Sequence, residues 1–194
     1  MGVESLFALA LFVIVATITP GGATTMVAAS GAHFGLRRSA PLVAGIACGL
    51  ASMAAAAAGG LAAALLAVPS LQWLMKLSGT AYLLWLAWQI GRSGAPRGTA
   101  STARPATFIG GVWMLWHNPK GWAMTMGAAA SFGAHEAGAV VLAAAFGVAA
   151  TLSLVLWCVA GAMLSRRLRN ARQWRVLNGV LAVLLAAAIV PMWV

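Results

Sequence analysis

Six long apolar runs, separated by short polar stretches, make up almost the whole chain. They cover roughly 5–30, 41–68, 71–91, 108–132, 137–164 and 176–193. Each is near the ~20 residues that a helix needs to cross a ~30 Å hydrocarbon core. The pattern predicts an all-α integral membrane protein with six transmembrane helices.

Two of the runs are interrupted. The first carries Thr19-Pro20-Gly21-Gly22, and the fourth carries His117-Asn118-Pro119-Lys120 between Trp116 and Gly121. Proline removes a backbone donor and breaks a helix interior. A lysine at the middle of a bilayer costs at least ~3 kcal/mol. Such clusters are tolerated where broken backbone faces protein or a watery cavity rather than lipid. Broken spans in corresponding positions of two halves point to a transporter's binding site. Six spans divide three and three, and an odd number per half inverts one half relative to the other. The fold expected is therefore a 3+3 inverted repeat with the first helix of each half broken at proline. Its first half is 1–91, its cytoplasmic linker 92–107 and its second half 108–194, all in one membrane domain.

Composition sharpens this. The 194 residues are 62% hydrophobic and only 7% charged, against about a quarter charged in soluble domains. A net charge of +10 would suggest nucleic acid in a soluble protein. Here the basic residues sit in loops and set topology. Arg37 and Arg38 follow the first run, Arg92, Arg97 and Arg104 the third, and Arg166, Arg167, Arg169, Arg172 and Arg175 the fifth. The positive-inside rule places these loops in the cytoplasm and both termini outside. The N-terminus lacks the basic region of a cleavable signal, so the first run is expected to remain as a helix. Cys48 and Cys158 lie in apolar runs and read as small hydrophobes. Gly31/Gly35 and Gly45/Gly49 have the spacing of close helix contacts, inside the bundle or between two copies in a homodimer.

The ordered motifs resemble the LysE/RhtB-type amino-acid exporters. The resemblance rests on Thr19-Pro20-Gly21, on the glycine series Gly31 to Gly49 around Arg37-Arg38, on Lys76-Leu77-Ser78-Gly79-Thr80-Ala81-Tyr82-Leu83-Leu84-Trp85-Leu86, and on Asn118-Pro119-Lys120. Members usually read Thr-Pro-Gly-Pro-Asn in the first helix, whereas this chain has Gly22-Ala23 in the last two places. The resemblance implies export of amino acids or similar small metabolites across a bacterial-type inner membrane, driven by the proton gradient.

The two breaks supply the candidate substrate-binding residues Thr19, Pro20, Gly21, Gly22, Asn118, Pro119 and Lys120. Lys120 lies too deep in its run to snorkel easily. It can hold a carboxylate, carry a coupling proton, or merely bind the carbonyls freed by Pro119. Asn118 can donate and accept towards a substrate or cap the restarting helix. Thr24 and Thr25 can add hydroxyls or back-bond within their helix. His117 is the other proton-coupling candidate, alongside its reading as a neutral packed histidine. His33 and His135 fall in expected loops. Trp73 and Trp193 mark the outer interface, Trp88 and Trp174 the inner one. Trp113, Trp116 and Trp122 flank the second break.

An enzyme is disfavoured. The chain has no Asp, two Glu at expected outer positions and three scattered His, so neither paired-carboxylate chemistry nor metal-ligand spacing is present. No cofactor is expected. A channel or a non-transporting membrane subunit is the alternative to a secondary exporter.

Overall fold

The computed structural model describes residues 2–61, 67–92, 106–133, 138–168, 170–187 and 189–190. Among these, every long element is helical. The α-helices are α1 (Val3–Ile18), α2 (Gly22–Ala56), α3 (Pro69–Arg92), α4 (Phe108–Trp116), α5 (Pro119–Phe132), α6 (Gly138–Arg167) and α7 (Ala171–Ala187), with a π-helical turn (Ala57–Leu61) closing α2.

Local chemistry sets these limits. Pro20 forces the preceding residue out of the helical region, and Thr19 is accordingly extended at φ −60°, ψ 130°. α1 therefore stops at Ile18. The hydroxyl of Thr107 accepts from Gly110 N–H at 3.1 Å and starts α4. Asn170 and Gln173 cap α7 reciprocally: the Asn170 amide oxygen accepts from Gln173 N–H at 2.9 Å, and Asn170 N–H donates back to the Gln173 side chain at 3.3 Å. Each such cap satisfies amides that the first helical turn leaves open.

α2 is the spine, with α6 packed along it and α4 against its later half. Two close crossings hold the three together. A methyl on Gly31 would overlap the Cys158 carbonyl, and one on Gly161 would overlap the Ala28 carbonyl. Likewise a methyl on Gly45 would overlap the Phe108 carbonyl, while one on Gly111 would stand 2.8 Å from the Leu42 carbonyl. Both crossings use an i, i+3 pair on each helix, so small residues bring backbones together. Gly31 and Gly45 thus serve contacts within one chain. The core fills from Leu9 and Val13 of α1, Leu42, Ile46 and Met53 of α2, Met114 of α4, and Leu142 and Phe146 of α6.

The outer surface is apolar too. On α6, Val148, Leu152 and Leu156 are exposed while Phe146, Ala150 and Leu154 are buried. On α1, Phe7, Leu11, Ile14 and Val15 face out. A helix apolar on every side belongs in lipid. Among the described residues two helices are by length and composition long and apolar enough to cross a bilayer, α2 with its π-turn (Gly22–Leu61, 40 residues) and α6 (30 residues). The interrupted helices are shorter pieces: 16 residues in α1, 9 in α4 and 14 in α5.

Several expectations change. The loop expected around Arg37 and Arg38 is helical; the chain turns at one residue, Gly35, at φ 75°, ψ 170°. That backbone suits glycine alone among common residues, so a whole loop is unnecessary. α7 begins at Ala171, which puts Arg172 and Arg175 inside a helix rather than in the preceding loop. His33 is in α2 and half-buried, with Nε2 3.1 Å from Asn178 Oδ1 and its ring centroid 5.2 Å from that of Trp174. Trp174 is itself buried, whereas Trp73 and Trp88 are exposed. Both cysteines are free; Cys158 is buried but Cys48 is exposed. Arg97, Arg104, Arg169, His135, Glu136 and Trp193 lie outside the described residues.

Candidate functional site

The two interruptions meet. Lys120, second residue of α5, donates from Nζ to the carbonyl oxygen of Thr19 at 2.8 Å. Around this bond lies a cavity of about 40 Å³, room for roughly two or three waters. Its walls come from α1 (Ala16, Thr17), the α1–α2 break (Thr19, Gly21), α2 (Gly22, Ala23, Thr24, Ile46, Leu50), and α4 to α6 (Leu115, Asn118, Lys120, Gly121, Met124, Ala150, Leu154).

Each break is built by its own residues. At the first, Pro20 cannot donate, which leaves the Ala16 carbonyl without its usual partner. Gly21 is fully extended (φ −169°, ψ −172°). Its N–H donates to the Thr24 hydroxyl at 2.8 Å, and that hydroxyl donates back to the Gly21 carbonyl at 3.0 Å. Helix α2 thus starts with a tied turn. The remaining first-turn amides, those of Gly22, Ala23 and Thr24, have no intrahelical acceptors, and all three residues line the cavity. They form the positive end of a helix dipole. Gly21 also admits Lys120: a methyl there would stand 3.2 Å from both Cδ and Nζ of the lysine.

The carbonyl end of α1 is capped from elsewhere in the chain. Ser153 donates its hydroxyl to the Thr17 carbonyl at 2.8 Å, and the Trp157 indole N–H donates to the Ile18 carbonyl at 3.2 Å. With Lys120 on Thr19, three successive carbonyls receive donors from α5 and α6. Ser153 and Trp157 escaped the sequence reading. Their signal was faint: two hydrogen-bonding side chains four apart in a mostly apolar helix that also carries Thr151 and Ser165.

At the second break Asn118 is the N-cap of α5. Its amide oxygen accepts from Lys120 N–H at 3.0 Å, and Pro119 takes the first helical position, where no donor is needed. Asn118 is 8% exposed and borders the cavity while capping. Its own N–H donates to the Leu115 carbonyl at 2.9 Å, the group Pro119 leaves free. His117 ends α4. Its Nδ1 is 2.8 Å from the Trp113 carbonyl and its ring stacks on Trp113 at 4.1 Å between centroids. His117 is not part of the cavity wall. Trp116 and Trp122 tie this break together instead of walling the cavity, while Trp113 is exposed and its ring meets that of His117. The Trp122 indole donates to the Trp116 carbonyl at 2.8 Å, the Trp116 indole donates to Ser52 at 3.2 Å, and the two rings meet edge to face at 5.5 Å.

Of the sequence candidates, Thr19, Gly21, Gly22, Asn118 and Lys120 line the cavity. Pro20 and Pro119 act by breaking the helices. Thr24 lines it as well, while Thr25 is buried in α2. Lys120 is the one charged group of the wall. Among the described residues no three His, Cys, Asp or Glu come together as a metal site requires.

Broken helices joined over a small cavity, in a bundle whose outer surface is apolar, suit a membrane translocator. The chain belongs to the LysE type translocator family, whose sequence model matches residues 14–189 and so spans both breaks. Neither the curated proteins nor the solved structures compared with it gave a match.

Proposed function

We propose that this protein is a secondary transporter that exports amino acids or similar small metabolites across a bacterial-type inner membrane, coupled to the proton gradient. The observation that carries the reading is the Lys120–Thr19 bond, which joins the two helix breaks across the cavity. A site of this kind holds a small anionic group on one cation and on open helix-end amides. Parting the breaks opens it and closing them seals it.

In this reading the interrupted pairs α1/α2 and α4/α5 are the first spans of two inverted halves. The arginine-bearing ends at Arg37–Arg38 and Arg166–Arg167 face the cytoplasm, and both termini lie outside. Gly35 separates the first span from the second. The coupling proton is carried by His117 or by Lys120.

The test is uptake of a labelled amino-acid mixture into inside-out vesicles, with the proton gradient on and off, for wild type and Lys120→Ala. Saturable, gradient-dependent uptake lost in the variant supports the proposal. Absence of uptake of every amino acid by folded wild type overturns it.

A further inference from the structure

The cavity is unequal in its chemistry. Its one charge is the ammonium of Lys120, and no carboxylate lines it. Apart from the neutral polar side chains of Thr17, Thr19, Thr24 and Asn118, the rest of the wall is small or apolar, with Ala23, Ile46, Leu50, Leu115, Met124 and Leu154 among it. The ammonium does not stand free but rests on the Thr19 carbonyl at 2.8 Å. That carbonyl is the last of three at the end of α1. The other two, of Thr17 and Ile18, are held by Ser153 and Trp157, donors fixed on α6. Only Thr19 is held by a long flexible side chain that can leave.

An ammonium on a helix-end carbonyl is what a ligand's own ammonium would make there, because carbonyl ends of helices favour cations. Resting on the amino-acid reading above, we infer that Lys120 occupies, in the empty site, the seat of the substrate's α-ammonium. The substrate is then the zwitterion of a small amino acid with an apolar side chain. On binding, its ammonium takes the Thr19 carbonyl. Lys120 swings off to the adjacent carboxylate, and the side chain lies on the Ile46–Leu50–Leu154 wall. Charge is conserved at each contact: one cation replaces another on the carbonyl, and the displaced cation meets the new anion.

Three exclusions follow. A basic side chain would add a third cation to Lys120 and the α-ammonium, in a cavity whose wall has no carboxylate to pair with it, and desolvation without a partner is costly. A plain carboxylic acid would pair with Lys120 but leave the Thr19 carbonyl stripped of its donor. A plain amine would meet the resident ammonium and be repelled.

The experiment is equilibrium binding of labelled L-valine to purified, monodisperse protein. The competitors are isovalerate (valine without its amino group), isobutylamine (valine without its carboxylate), L-lysine and L-alanine. Expected are competition by alanine within about threefold of valine, and at least tenfold weaker competition by isovalerate, isobutylamine and lysine. In Lys120→Met the Thr19 carbonyl is vacant, so isobutylamine should gain at least tenfold while valine loses at least tenfold. A purely structural lysine would not produce this reversal.

Isovalerate matching valine in the wild type overturns the ammonium seat, and lysine matching valine overturns the apolar class; in either case amino-acid transport stands. Binding of valine with no reversal in a well-folded Lys120→Met also overturns the exchange. If the variant does not fold, the wild-type competition order decides alone. Transport of no amino acid by the vesicle assay overturns the inference and the export reading together.

Discussion

Lys120 Nζ and the Thr19 carbonyl oxygen lie 2.8 Å apart although 101 positions separate them in the chain. The bond joins the two helix interruptions across the cavity. It is charge-assisted, a class worth about 1.5–3 kcal/mol. Lys120→Gln can keep a hydrogen bond to Thr19 and lose the charge, whereas Lys120→Ala loses both. Uptake should fall about 10- to 100-fold in both variants, and thermal stability in detergent should fall more in Lys120→Ala. Equal uptake by Lys120→Gln and wild type would remove the charge from the mechanism.

The glycine crossings predict a sharp positional contrast. Gly31→Ala and Gly45→Ala press a methyl onto the backbone of Cys158 and Phe108, and neither backbone can yield as a side chain would. Overpacking of this kind costs about 1–3 kcal/mol or more. Gly179 in α7 has open space around it, so Gly179→Ala should be neutral or gain up to ~1 kcal/mol from helix propensity. Melting curves in detergent for the three variants measure the contrast, and equal melting points would show that the crossings do not hold the bundle.

Asn118 caps α5, which predicts how it tolerates replacement. Asn118→Ser keeps an acceptor for the Lys120 N–H and should stay within a few tenths of a kcal/mol of wild type. Asn118→Ala should lose about 1 kcal/mol. If the amide also holds substrate, both variants weaken binding alike while only the alanine variant loses stability. Paired melting and binding measurements separate the two roles.

The sequence made the breaks legible because proline and a deep lysine have few uses in an apolar run. Helix ends at Thr19 and Asn118 follow from steric rules local to the proline, so they need no tertiary information. The turn at Gly35 was harder. A cluster of glycine, histidine and two arginines looks like a loop, but one glycine in the left-handed region redirects the chain and its neighbours stay helical. That error also misplaced His33, whose partner Asn178 comes from α7. The roles of Ser153 and Trp157 were invisible for another reason. They act on carbonyls of α1 about 136 positions away, and the need for those donors appears only once α1 and α6 are packed. The apolar wall of the cavity was equally hidden, since Ile46, Leu50 and Leu154 look like any other core residue of their helices.

His117 gives the coupling prediction. With Nδ1 directed at the Trp113 carbonyl, an acceptor only, that nitrogen carries the hydrogen, so in the proposed coupling Nε2 is the atom that would exchange the proton. His117→Gln cannot do so. The variant should bind substrate as wild type does and exchange it downhill, yet lose most gradient-driven accumulation. Counterflow and gradient-driven uptake in the same vesicles read the two properties separately. Full accumulation by His117→Gln would assign the proton to Lys120.

The donors from α6 predict coupling between residues that share one helix end. Ser153 and Trp157 hold the Thr17 and Ile18 carbonyls, and a hydrogen bond between membrane helices contributes about 0.6 kcal/mol on average and up to roughly 2. Ser153→Ala removes its bond with little change of volume. Trp157→Phe keeps the ring's bulk and removes only the N–H. Each should lower stability by about that amount. If the last turn of α1 opens as a unit, a second bond is worth less once the first is gone. The double variant should therefore cost less than the two single losses together. It should also leave the Thr19 carbonyl poorly placed, and substrate binding should weaken although neither residue lines the cavity. Additive melting shifts with unchanged binding would mean that the two bonds hold α6 to α1 but do not position the Thr19 carbonyl.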